Sequence, residues 1–134
     1  MAATKGEVEH LLRKLFNGGA IERVPKNRKD ADVFLALAAA RVDSQVTLSE
    51  PELNEQLSDW LDGVADQNAL DHVTLRRDLV DYGFVLRDDE GTRYRTNQTV
   101  IDQFIDREAR TVLPSAVKSE VEQERARRRR ANQS

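Results

Sequence analysis

Ser49-Glu50-Pro51-Glu52-Leu53-Asn54-Glu55-Gln56-Leu57 is followed, after a polar connection, by Asp71-His72-Val73-Thr74-Leu75-Arg76-Arg77-Asp78-Leu79-Val80-Asp81-Tyr82-Gly83. Phe84-Val85-Leu86-Arg87, Asp88-Asp89-Glu90-Gly91 and Thr92-Arg93-Tyr94-Arg95 complete the stretch. Ser49 and Glu52 have the spacing of a capping box. Pro51 falls in the first turn, where its missing N–H costs little. Leu53, Leu57, Trp60 and Leu61 recur at helical spacing and predict a buried stripe. Asp71 or a near neighbour is expected to start a second helix, and Gly83 to end it. Residues 84–95 read as two short strands around an acidic turn, with Gly91 supplying a positive φ.

Helix, helix, β-hairpin is the order of a winged helix-turn-helix, whose second helix enters a nucleic-acid groove. The expected fold is therefore α+β and mostly helical, a winged helix-turn-helix with extra N- and C-terminal helices. Val8, Leu11, Leu12, Leu15 and Phe16 predict a helix over 5–16, stopped by Asn17-Gly18-Gly19. Ala20 to Val24 alternates and predicts a short extended piece. Asp30 is the expected cap of a helix over 31–42, with Val33, Phe34, Leu37, Ala38 and Val42 inside. Gln45 to Leu48 predicts the first strand.

Beyond Thr96, the residues Val100, Ile101, Phe104 and Ile105 predict a helix over 98–110. Its apolar face has two readings, a cover for the domain's own core or the seam of a homodimer. Residues 115–130 read as a charged helix or a disordered tail. Glu122 to Arg125, Glu124 to Arg127 and Glu124 to Arg128 have helical ion-pair spacings. The expected organisation is an N-terminal helix over 1–17, a winged-helix-like domain over 18–96, a packing or dimerisation helix over 97–113 and a charged tail over 114–134.

The 134 residues suit one domain plus tails. No cysteine is present, which excludes disulfides and thiolate zinc sites. No leader-like apolar segment opens the chain, and no run approaches the roughly 18 apolar residues of a membrane span. A soluble, cytoplasmic protein is expected. The net charge of −3 hides a segregation. Residues 1–30 carry seven Lys/Arg against four Asp/Glu, residues 31–114 eight against seventeen, and residues 115–134 six against three. A nucleic-acid binder usually shows a basic face. Here the acidic middle weakens that reading unless the basic ends contribute.

On a helical wheel over 72–83, Val73, Leu75, Leu79, Val80 and Tyr82 cover one broad side. Thr74, Arg77, Asp78 and Asp81 cover the other. Arg77 is thus placed to meet a phosphate or a base edge, with Thr74 beside it. Arg76 falls on the apolar side, where a guanidinium needs partners. Asp71, Glu50 and Glu55 are the candidates, and Glu50, Asn54, Asp71 and Arg76 are read as structural polar residues. Arg87, Arg93 and Arg95 lie on the hairpin, and Arg93 and Arg95 share a strand face. The opposing reading is a helix that packs a core and keeps a merely solvated polar face. Asp78, Asp81 and the acidic turn favour it, because they repel phosphate.

Gly18-Gly19-Ala20-Ile21, Val24-Pro25-Lys26, Leu48-Ser49-Glu50-Pro51-Glu52-Leu53-Asn54, the run Asp71 to Gly83, and Arg87, Gly91 and Tyr94 resemble the bacterial family catalogued as domain of unknown function 2087. The resemblance covers roughly residues 15–96, and its most specific part is Leu75-Arg76-Arg77-Asp78-Leu79-Val80-Asp81-Tyr82-Gly83. That family is similar to winged-helix regulators. Its members stand alone or attached to transcription-regulator domains, and no activity is established for it. The resemblance implies the fold and only leans toward a function. This chain departs from it by continuing into a tail with Arg127, Arg128, Arg129 and Arg130.

His10 and His72 are the only histidines, and no spacing pairs them; His72 reads as a surface or capping residue. No phosphate-binding glycine pattern and no nucleophile motif occurs. The carboxylates Glu50, Glu52, Glu55, Asp59 and Asp62 read as a solvated face. No enzyme activity, cofactor or metal is expected. Arg125 and Arg127 to Arg130 read as a phosphate contact, a dock for an acidic patch of a partner or of the chain's own middle, or a helix end whose positive charge suits the macrodipole. Two functions are expected. One is a DNA-binding transcriptional regulator using Thr74, Arg77, Arg87, Arg93, Arg95 and the tail arginines. The other is a module whose acidic middle binds a basic protein of the transcription or translation apparatus. A third, weaker expectation is RNA or ribosome binding through the tails alone. The pairing state of Asp78 and Asp81 discriminates the first two: internal ion pairs favour DNA, and free carboxylates beside Arg77 favour a protein.

Overall fold

A computed structural model describes residues 1–133. Its helices are α1 (Lys5–Leu15), α2 (Arg28–Ala40), α3 (Glu50–Leu61), α4 (His72–Asp81), α5 (Gln98–Phe104) and α6 (Pro114–Asn132). The strands are β1 (Leu48–Ser49), β2 (Val85–Arg87) and β3 (Arg93–Thr96). They form one antiparallel sheet in the order β1-β3-β2. From α2 to β3 this is the element order and sheet order of a winged helix, with α4 in the position of the groove-entering helix. The fold is α+β, with α1 added before that unit and α5 and α6 after it.

Local chemistry explains the elements. Ser49 and Glu52 form a reciprocal capping box at α3. Leu53, Leu57 and Leu61, spaced four apart, are fully buried along one stripe. Each contributes roughly 1.5–3 kcal/mol by leaving water. Trp60 is only half-buried and meets Phe34 edge-on, with ring centroids 5.4 Å apart. Asp71 caps α4 by accepting from the Thr74 N–H at 2.9 Å. Gly83, at φ 84°, turns the chain out of α4 and into β2. Gly91, at φ 70°, does the same for the hairpin turn.

Several expectations are corrected. A second capping box, Thr4 with Glu7, opens α1. The α2 cap is Asn27, which accepts from Asp30 N, so Asp30 is inside the helix rather than its cap. Ala20 to Val24 is no strand; only Ile21 bridges, to Ala65, through Ile21 N to Val64 O and Asp66 N to Ile21 O. The first strand is confined to Leu48–Ser49. The helix expected over 98–110 ends at Phe104 because Ile105 turns extended and pairs with Ala3. A separate 3-10 turn then spans Glu108–Thr111.

The terminal helices join the same core. Val8, Leu11, Leu12 and Phe16 of the N-terminal segment and Val117 of α6 belong to one buried cluster with the α2, α3 and α4 leucines. Ile101 and Ile105 are buried in it too, so they offer no seam to a twin. Phe104 packs on Phe84 at 5.5 Å. The segment after Pro114 is helical through Asn132. Its expected internal ion pairs do not form among the described residues. Glu120 and Glu124 instead pair with Arg13 of α1 at 2.7 and 3.1 Å, and Glu122 with Lys118. Docking on α1 directs Glu120 and Glu124 across the helix interface, while Glu122 pairs within α6. Among the described residues no helix is long and apolar enough to cross a membrane.

Candidate nucleic-acid interface

The outer face of α4 is set by how α4 is held from behind. Leu75 and Leu79 are buried against the core. Arg76, 19% exposed, reaches back to α3, where its guanidinium bonds Asn54 Oδ1 and lies 3.3 Å from Glu50 Oε1. Glu55 and Asp71 are not its partners; Asp71 is engaged at the helix cap. This contact fixes the two helices of the turn against each other and leaves Thr74, Arg77 and Asp81 facing solvent.

Two residues expected on the inner side are outside. Val73 is 37% and Tyr82 39% exposed. Both lie at the ends of α4, where the neighbouring elements no longer cover the helix. Tyr82 is instead capped by the Arg28 guanidinium, 4.5 Å above its ring, an arrangement favoured by the ring's negative face.

Arg77 makes no ion pair among the described residues. Neither Asp78 nor Asp81 is ion-paired there either. Burial raises the pKa of Asp78, the Asp81 charge raises it further, and Arg77 acts in the opposite sense. On this face Val73 and Thr74 precede Arg77, and Asp78 and Asp81, without ion pairs among the described residues, follow it.

The hairpin register separates its arginines. Leu86 lies opposite Arg95 and Ser49 opposite Arg93, while Arg87 lies opposite the buried Tyr94. Directly opposed residues share a sheet face. Arg93 and Arg95 thus form one outward row, and Arg87 starts on the other face. All three are exposed at their side chains, and none is ion-paired among the described residues.

The acidic turn is partly used up. The Asp88 carboxylate accepts from Thr92 N at 2.8 Å, Arg93 N at 3.1 Å and the Thr92 hydroxyl at 3.0 Å. These bonds, led by that from Thr92 N, hold its pKa below the ordinary value. Asp89 and Glu90 remain exposed.

Arg127, Arg128, Arg129 and Arg130 are exposed at the far end of α6. The helix is anchored just before them: Arg125 donates to the backbone oxygen of Asn17, at the open end of the turn after α1. Such helix ends leave carbonyls without partners, and Arg125 supplies one. Among the described residues no group of His, Asp and Glu is placed to hold a metal ion.

Residues 20–96 match the model of a family described as an uncharacterized protein conserved in bacteria, domain of unknown function 2087. The chain belongs to this family. No curated protein and no solved structure matches it. The match to domain of unknown function 2087 runs from the Ile21 bridge through β3. It contains α4 and the hairpin arginines, and leaves Gly18, Gly19 and the α6 arginines outside.

Proposed function

We propose that this chain is a non-enzymatic DNA-binding module of the cytoplasm, acting in transcription regulation. The exposed face of α4 approaches the major groove with Thr74 and Arg77. Arg93 and Arg95 hold phosphates from the sheet face, with Arg87 at the hairpin's side. The arginines of α6 add a sequence-independent contact. One observation carries the reading: Arg77, Arg93 and Arg95 are exposed and make no ion pair among the described residues, on the two elements that a winged helix presents to a duplex.

A second reading has its own support. Asp78 and Asp81 make no ion pair among the described residues, and free carboxylates beside Arg77 favour a basic protein surface over phosphate. An amide chemical-shift titration of the full chain separates the two. Random-sequence duplex should shift Val73 to Arg77 together with Arg93 to Arg95. Shifts confined to Arg127–Arg130 reduce the DNA contact to the tail. Silence toward duplex, with shifts at Asp78 and Asp81 on adding a polylysine peptide, supports the protein partner.

A further inference from the structure

Val73 is an apolar, β-branched residue with more than a third of its surface open to solvent. Val80, on the same helix, packs against the core cluster; Val73 is 37% exposed. It sits four residues before Arg77, so the two share one row of the helix surface, with Thr74 beside them. Asp78 and Asp81 occupy the other end of that face. These carboxylates repel phosphates, so a duplex meets α4 through Val73, Thr74 and Arg77, which precede them. The apolar group that the major groove offers is the C5 methyl of thymine.

We propose that Val73 is a specificity-determining residue that packs on a thymine methyl, next to a guanine read by Arg77. The proposal rests on the DNA reading above. Four helical residues advance about 6 Å and one base step about 3.4 Å, which places the two bases roughly one to two steps apart. Arg77 has the fork geometry that matches guanine O6 and N7. Thr74, between them, is free to take either a base edge or a phosphate.

The test is made on the DNA, so it does not depend on a variant folding. Duplexes are selected from a random library by the full chain. Each thymine of the selected site is then replaced by deoxyuridine, which lacks only the C5 methyl. One replacement should weaken binding by about fourfold, the worth of one buried methyl group. The loss should vanish in Val73→Ser, whose helix content is checked by circular dichroism. Equal losses in the wild type and Val73→Ser, or no thymine whose methyl matters, overturn the assignment while leaving DNA binding intact. Failure to select any duplex at low salt overturns the DNA reading and this assignment with it.

Discussion

Asp78 sits at the unfavourable end of its own helix. The C-terminus of α4 carries the negative end of the macrodipole, and Asp81 is one turn away. Burial and Asp81 raise its folded-state pKa above the ordinary 3.8. For a carboxylate shifted upward, the penalty is absent at pH below the unfolded value and complete above the folded one. Asp78→Asn should therefore raise the melting temperature at neutral pH, and the gain should fade in acid, as thermal melts at the two extremes will read. Asp71 has the opposite sign. The bond from Thr74 N, first among its causes, lowers its pKa. Its stabilisation is present above the unfolded value and lost as pH falls through the folded one. Asp71→Ala should cost about 1 kcal/mol at neutral pH and progressively less in acid, measured by denaturant midpoints. A charge that works against its own helix, as at Asp78, marks a face shaped by something besides stability.

At the scale of elements, α3 and α4 act as one piece because Arg76 joins Asn54 and Glu50. Arg76→Ala removes both contacts and should cost about 1–2 kcal/mol, lowering the melting temperature by several degrees. Duplex affinity should fall further than for a variant of equal instability made elsewhere in the core, since the presentation of Arg77 loosens. Such elements are legible in the sequence because their signals are local. Ser49 with Glu52, Asp71, Gly83 and the turn ending at Gly91 each act within a few residues. Thr4 with Glu7 carries the same signal, and Asn27 lies three residues before Asp30, which has equal capping chemistry. The end of α5 is not legible. Ile105 leaves the helix to pair with Ala3, a partner about one hundred residues earlier in the chain, and no local pattern encodes that bond.

For the whole molecule, the charged C-terminal segment is a docked helix whose arginines 127–130 are exposed. Val117 is buried, Val121 packs on the core, and Glu120 and Glu124 pair with Arg13. Ion-pair spacing within α6 misleads because it ignores Arg13, which only the fold brings near. Of the site, Arg77 and the Arg93–Arg95 row are legible from helical and strand periods; the exposure of Val73 and Tyr82 is not, since it depends on where neighbouring elements stop. Cutting the chain after Ala126 should leave stability within about 0.5 kcal/mol, because the described residues it removes, 127–133, are all exposed. Cutting after Leu113 should cost about 2 kcal/mol or more, through Val117, Val121 and the stranded Arg13, as paired thermal melts will read. The first measurement to make is duplex affinity across a salt series for the full chain, the form cut after Ala126, and Arg77→Glu. The expected result is a steep salt dependence, near one power of salt per phosphate contacted, that persists in the cut form and collapses in Arg77→Glu. Absence of binding at low salt, or binding that disappears with the four terminal arginines and ignores Arg77, would defeat the assignment of α4 and the hairpin as a DNA-reading face.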